Sequence, residues 1–129
     1  MIKSITSAQN PWVKDVLALQ EKAKNRRAAG RFTVEGINEI RLAIKSGLKV
    51  IQIAINPDRM TWLELKSLLN LDIELNPLWM IEVMESAWSK VVVRESGQNA
   101  LAIFELPAEP LAWKPKEGGL YLLVESVEK

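Results

Sequence analysis

The apolar run from Val50 to Ile55 constrains the fold of this chain more than any other feature. Most of its residues are β-branched, and the pair Asn56-Pro57 ends it. A short apolar run bounded by turn residues is typical of a strand that is buried on both faces, as in a parallel sheet. The run therefore predicts a buried strand inside a layered structure.

Segments with helical and strand-like patterns alternate on either side of this run. Asn10-Pro11 predicts the start of a helix, because Asn is a good cap and Pro suits the first helical position, and Gly30 is its expected stop. Alternating helices and strands imply a layered α/β domain. The other predicted helices are residues 37–45, 60–69 and 76–87, and the other predicted strands are residues 31–34, 72–75, 100–106 and 120–124.

Two missing residue types exclude several kinds of chemistry. The chain contains no cysteine and no histidine, so Ser-His-Asp catalysis, Cys-His catalysis and thiolate metal sites are excluded within it. Neither G-x-G-x-x-G nor G-x-x-x-x-G-K occurs, which gives no support to a self-contained nucleotide-binding enzyme. We predict no catalytic, metal-binding or cofactor-binding residue in this chain.

The sequence also shows no sign of a membrane segment. No apolar run approaches the roughly 20 residues that a membrane helix needs. The first residues lack the apolar stretch of a secretory signal. We therefore expect a cytoplasmic protein without membrane contacts.

Positive charge is concentrated near the N-terminus. Residues 1–31 contain seven lysines and arginines against two acidic residues, although the whole chain has a net charge of only +1. Cations at this density can reach successive phosphates of a nucleic acid, but they are also typical of a solvated helix end. Because no aromatic platform lies beside them, we expect contacts with the backbone rather than the bases. The candidate phosphate contacts are Lys14, Lys24, Arg26, Arg27 and Arg31.

Two further segments could carry a function. Glu35-Gly36 follows a predicted strand, where the carboxylate could be a catalytic acid, but a structural role at the start of the next helix is favoured. The polar loop from Arg94 to Asn99 could bind a ligand or be an exposed turn, and the sequence does not separate these alternatives.

The composition of the sequence changes after residue 106. Residues 107–119 contain several prolines and glycines and are interpreted as a linker. Residues 120–124 form one more apolar strand, which could begin a second domain or complete the sheet of the first. The predicted division is a domain at 1–106, a linker at 107–119 and a strand of a further domain at 120–129.

The order and spacing of several motifs resemble the SpoU-type ribose 2′-O-methyltransferases of the SPOUT superfamily. The early motifs are Ile5-Thr6-Ser7, Asn10-Pro11, Val13-Lys14, Leu19, Lys24, Arg26 or Arg27, Gly30, Phe32-Thr33-Val34-Glu35-Gly36 and Ala43. The later motifs are Ser96-Gly97-Gln98, Ala100-Leu101-Ala102-Ile103 and Leu122-Leu123-Val124-Glu125. One departure is Asn38, where family members often carry a basic residue, although Arg41 lies one helical turn away.

This resemblance implies a three-layer α/β/α sandwich, similar to ribosomal and kink-turn-binding proteins, that binds substrate RNA. In the family such a domain precedes a knotted SPOUT domain, which binds S-adenosylmethionine and dimerises. Residues 120–129 would be the first strand of that second domain. We therefore expect this chain alone to be inactive and monomeric, and to lack the cofactor that the full-length protein uses.

The resemblance also implies a partner and roles for the candidate residues. Structured RNA, and rRNA in particular, is the expected partner, with the five cations contacting phosphates. The residues expected to hold the turn that presents these cations are Asn10, Glu35 and Gly36. The alternatives are a free-standing RNA-binding module of the ribosomal-protein type, or a protein–protein adaptor whose basic patch is incidental.

Overall fold

The structure, a computed structural model, describes residues 2–92 and 99–107. Within these residues the chain forms five α-helices and five strands. The helices are α1 (Pro11–Glu21), α2 (Ala23–Ala29), α3 (Ile37–Lys45), α4 (Trp62–Leu69) and α5 (Glu85–Val91). The strands are β1 (Lys3–Ile5), β2 (Arg31–Glu35), β3 (Val50–Ile55), β4 (Met80–Val83) and β5 (Ala100–Glu105).

The five strands form one mixed sheet in the order β1-β4-β3-β5-β2. β1, β4 and β3 are parallel to one another, and β5 runs antiparallel to both β3 and β2. The first four strands of the chain therefore point in one direction. We call the edge at which they begin the amino edge and the edge at which they end the carboxyl edge. β5 ends at the amino edge.

Helices cover both faces of the sheet, which confirms the predicted α/β/α sandwich. On one face, side chains of α1 and α5 pack on the sheet, and on the other face α3 and α4 do so. Successive side chains of β5 alternate between the two cores. Leu101 and Ile103 pack in the α1/α5 core, whereas Ala102 and Phe104 pack in the α3/α4 core. The predicted buried strand is also confirmed as β3, which is parallel to β4 on one side and antiparallel to β5 on the other.

Two helices begin with side-chain caps, of which only that of α1 was predicted from the sequence. The side chain of Asn10 accepts a hydrogen bond from the backbone N–H of Trp12 at 2.9 Å, and Pro11 follows as the first helical residue. Thr61 and Glu64 form a reciprocal capping box at the start of α4. Such caps satisfy backbone donors that have no partner inside the helix.

The single helix predicted from Asn10 to Gly30 is wrong. Lys22 has an extended backbone (φ −138°, ψ 140°), and it divides the segment into α1 and α2. The division frees carbonyl groups at the end of α1, and side chains of α2 bind two of them. Asn25 donates to the carbonyl of Ala18 at 2.9 Å, and Arg26 donates to that of Leu19 at 2.8 Å.

The region between residues 72 and 87 also differs from the prediction. Residues 72–75 form no strand, and the helix signal at Asn76-Pro77 produces only one 3-10 turn, from Pro77 to Trp79. The next residues form β4, whose Ile81 and Val83 pack in the α1/α5 core. The short edge strand β1 was not predicted.

Three sequence predictions fall mostly outside the described residues. These are the polar loop at 94–99, the linker at 107–119 and the strand at 120–124, of which the structure describes only Asn99 and Pro107. The described helices are all too short or too polar to cross a membrane.

Candidate nucleic-acid interface

α2 presents two different sides to its surroundings. Ala23 and Arg26 are three residues apart and are both buried, whereas Lys24 and Arg27, also three apart, are both exposed. Residues at this spacing lie on one side of a helix. Arg26 and Arg27 are neighbours in sequence, and both were predicted as phosphate contacts. They differ in exposure, because Arg26 is buried whereas Arg27 faces solvent.

Arg26 belongs to the interior of the domain. The residue is only 9% exposed, and its Nη1 donates the hydrogen bond to Leu19 at the end of α1. Desolvation by burial, and secondarily the positive charge of Arg27, lower the pKa of Arg26. This position does not suit a phosphate contact, and we assign Arg26 to the junction between α1 and α2.

Gly30 turns the chain from α2 into β2 and sets the position of Arg31. Its backbone is left-handed (φ 71°, ψ 28°), and its N–H donates to the carbonyl of Arg26 at 2.8 Å. A Cβ at this position would meet no atom within 4 Å, so the backbone conformation alone favours glycine here. Arg31 follows directly as the exposed first residue of β2.

The predicted turn-shaping residues lie at the opposite edge of the sheet, which corrects their expected role. Glu35 ends β2, and Arg31 begins it, so about 13 Å of extended strand separates their backbones. Gly36, not Glu35, is the cap residue of α3; its φ is 105°, and its N–H donates to the carbonyl of Ala100 at 3.0 Å. Asn10 caps α1 at the same carboxyl edge.

Four exposed cations remain together around α2 and the start of β2. We call this set, Lys22, Lys24, Arg27 and Arg31, the basic end. Lys22 occupies the break between α1 and α2 and was not among the predicted phosphate contacts. The predicted contact Lys14 is exposed on α1, about two helical turns before its end, and does not belong to this set.

The basic end has the chemistry of an anion-binding surface. Its side chains are donors only, and its arginines can grip a phosphate with a planar fork. Among residues 2–92 and 99–107, no group of three potential metal ligands occurs. Its nearest acidic sequence neighbour is Glu21, the last residue of α1.

Arg41, near the departure at Asn38, has a structural role. Its Nε and Nη2 donate to the carbonyls of Leu69 and Leu68, at 3.0 and 2.7 Å, and its Nη1 donates to Asn38 Oδ1 at 2.9 Å. Arg41 therefore satisfies carbonyls at the end of α4 and joins that helix to α3. This use of the guanidinium does not favour Arg41 as a substitute for a basic residue at position 38.

One protein-family model matches this chain. The model of the MRM3-like substrate binding domain matches residues 10–102, which is most of the chain. The chain belongs to this family. The matched range begins at the cap of α1 and ends inside β5, so the MRM3-like domain includes α1 to α5 and the basic end.

The MRM3-like domain is similar to solved structures of RNA methyltransferases. An RNA 2′-O ribose methyltransferase is 27% identical, with a TM-score of 0.68, and the match covers 88% of this chain and 42% of that one. An AdoMet-bound rRNA methyltransferase from Sinorhizobium meliloti is 28% identical, with a TM-score of 0.60, covering 91% of this chain and 42% of that one.

A third structure supports the fold alone. The SpoU methyltransferase AviRb from Streptomyces viridochromogenes, solved with AdoMet, is 22% identical, with a TM-score of 0.64, covering 84% of this chain and 40% of that one. The MRM3-like domain thus corresponds to about two fifths of the length of these proteins. No curated protein sequence matches the chain significantly.

Proposed function

We propose that this chain binds structured RNA, with rRNA as its target, and recruits it for ribose 2′-O-methylation by a SpoU-type catalytic domain. The observation that carries the proposal is the basic end, where four exposed cations project from one helix junction and the following strand. The match to a family of substrate-binding domains, and the similarity to RNA methyltransferases, support RNA as the ligand.

The basic end suits phosphates better than bases. Its residues are lysines and arginines without an exposed aromatic side chain among them, so it lacks the stacking platform that single-strand binders use. Contacts with phosphates fix where a protein sits on a nucleic acid but read little sequence. The domain would therefore hold a folded RNA in position and leave the choice of nucleotide to shape and to the catalytic domain.

The arrangement also gives the basic end a rigid base. Arg26 and Asn25 join α2 to α1, and Gly30 fixes the turn into β2. Charged side chains that start from a fixed backbone lose less conformational entropy when they bind than side chains on a flexible segment. Lys14 would contribute from the first half of α1, as a more distant contact.

The longer protein would use S-adenosylmethionine, and we assign that cofactor no residue in this chain. Its binding residues would belong to the catalytic domain. One surface groove is lined by Leu63, Glu64, Ser67 and Leu68, but all four lie on the exposed side of α4 and form no enclosed pocket. We further propose a cytoplasmic location, and a homodimer that forms through the catalytic domain.

Binding to labelled RNAs tests this function. The protein is titrated into a fluorescent rRNA hairpin and into a folded tRNA, at about 50 and 200 mM salt. We expect binding that weakens with salt and favours the rRNA hairpin. Equal affinity for tRNA would contradict the rRNA assignment. Absence of binding at the lower salt would contradict RNA recruitment and favour the protein–protein adaptor.

A further inference from the structure

The end of β5 brings together two cations that are distant in sequence. β5 lies between β2 and β3, and its last residue, Glu105, is the register partner of Arg31. The N–H of Glu105 donates to the carbonyl of Lys49 at 2.9 Å. Two strand spacings therefore separate the backbones of Arg31 and Lys49, which is about 10 Å. Arg31 and Lys49 are thus 18 positions apart in sequence but close neighbours at the amino edge.

The three side chains share one face of the sheet. Phe32, Val50 and Phe104 pack in the α3/α4 core, and each is the sequence neighbour of one of the three charged residues. Since side chains alternate between faces, Arg31, Lys49 and Glu105 point to the α1/α5 face. α2 contacts both α1 and β2, so the basic end borders this trio.

The charges of this trio are directed to solvent. Arg31, Lys49 and Glu105 are all exposed. Within the part of the chain that the structure describes, neither cation forms an ion pair with Glu105. Both cations can therefore meet a polyanion, while the carboxylate between them opposes its approach.

We infer that Lys49 is a further phosphate contact, which acts with Arg31 across the end of β5, and that Glu105 between them limits the affinity. This inference rests on the proposed RNA-binding function and extends the surface from one helix junction to three neighbouring strands. Arginine supplies a bidentate fork and lysine a compact point charge, so the pair can hold two phosphates of one folded RNA backbone. No local count of charge could identify Lys49, because its own neighbours in sequence are uncharged except for Lys45.

The surface also adjoins the point at which the chain leaves the sheet. The N–H of Leu106 donates to the carbonyl of Gly30 at 2.8 Å, directly beside Arg31. RNA held by Arg31 and Lys49 would lie next to this exit. That location suits a domain that presents its bound RNA to a neighbouring domain of the same protein.

Three single substitutions test the inference with the labelled rRNA hairpin. We expect Lys49→Ala to raise Kd several-fold and to reduce the slope of log K against log salt by about 0.7–0.9, the value for one lost phosphate contact. Glu105→Gln should lower Kd, because it removes a negative charge without changing shape. Lys66→Ala is the matched control, since Lys66 is exposed on α4 and faces Glu74 at 3.7 Å. It should leave Kd unchanged.

The outcomes separate this inference from the proposed function. If Lys49→Ala binds as the unaltered protein does, while loss of Arg27 and Arg31 abolishes binding, Lys49 is no contact and RNA recruitment stands. An unaltered affinity of Glu105→Gln would likewise refute the role of Glu105. If the unaltered protein binds no RNA, both proposals fail. Equal thermal unfolding of the variants and the unaltered protein establishes that they are folded, and Lys49→Gln provides a second neutral variant.

Discussion

Arg26 donates a hydrogen bond from Nη1 to the carbonyl oxygen of Leu19 at 2.8 Å, which joins α2 to the end of α1. The most basic stretch of the sequence therefore contains one arginine that stabilises the fold beside one, Arg27, that faces solvent. This division determines which substitutions should alter stability and which should alter binding.

Removing the buried guanidinium should destabilise the domain. Arg26→Ala breaks a charge-assisted hydrogen bond and leaves the carbonyl of Leu19 without that donor, so we expect the free energy of unfolding to fall by about 2 kcal/mol. Urea denaturation measures the change. Arg27→Ala is the matched control and should alter stability by less than about 0.5 kcal/mol. Similar losses in both variants would contradict the assignment of Arg26 to the junction.

Any residue with a side chain at the left-handed turn of Gly30 should destabilise the domain. No atom obstructs a Cβ there, so Gly30→Ala should cost only the backbone penalty, about 1 kcal/mol of unfolding free energy. Gly30→Asn should cost less, because Asn tolerates this conformation better. Thermal unfolding of both variants checks the order. A larger loss for Asn than for Ala would argue against the left-handed turn.

The cap of α1 should contribute to stability through one side-chain oxygen. Asn10→Ala removes the acceptor of the Trp12 N–H, and we expect it to lower the free energy of unfolding by about 1 kcal/mol. Asn10→Asp keeps an acceptor and should be nearly neutral. If chemical denaturation finds the two substitutions equally harmful, the cap is not the reason.

A buried amide at the carboxyl edge should make stability sensitive to charge. Asn56 is fully buried; its Nδ2 donates to Glu85 Oε1 at 2.8 Å, and Arg59 forms an ion pair with the same carboxylate. Asn56→Asp replaces the donor with a second carboxylate, so we expect a loss of about 2 kcal/mol or more at pH 7. The loss should shrink at pH 4, because protonation of the introduced carboxylate relieves its repulsion from Glu85. Denaturation at both pH values measures this, and Asn56→Ala, which adds no charge, should show no such recovery.

Strong local signals made parts of the fold predictable from sequence. The β-branched run Val50–Ile55 is a buried strand because both of its faces meet helices. Asn10-Pro11 starts a helix because the cap and the proline act within one turn. The alternation of elements was sufficient to predict the layered class, since a sheet with two apolar faces needs helices on both.

The missed elements depend on contacts that are distant in sequence. Lysine at position 22 suits a helix well, and the break there is stabilised by Asn25 and Arg26, which bind carbonyls of the preceding helix. β4 is only four residues long and follows a genuine turn signal at Asn76-Pro77, so its pairing with β1 and β3 decides its conformation.

The candidate site could likewise be predicted only in part, because its geometry depends on contacts that are distant in sequence. The density of positive charge near the N-terminus was visible in the sequence, but the burial of Arg26 was not, because it follows from the break at Lys22. Likewise, Lys49 approaches Arg31 only because β5 inserts between β2 and β3.

The dependence of RNA affinity on salt tests the central claim most directly. The unaltered protein is compared with Arg27→Ala/Arg31→Ala, and with Lys3→Ala/Lys66→Ala, which removes the same charge from β1 and α4. We predict that loss of the two arginines reduces the slope of log K against log salt by about 1.4–1.8, as expected for two phosphate contacts, while the control keeps its slope. Equal changes in the two double variants would mean that net charge alone attracts the RNA, and would contradict a specific basic end.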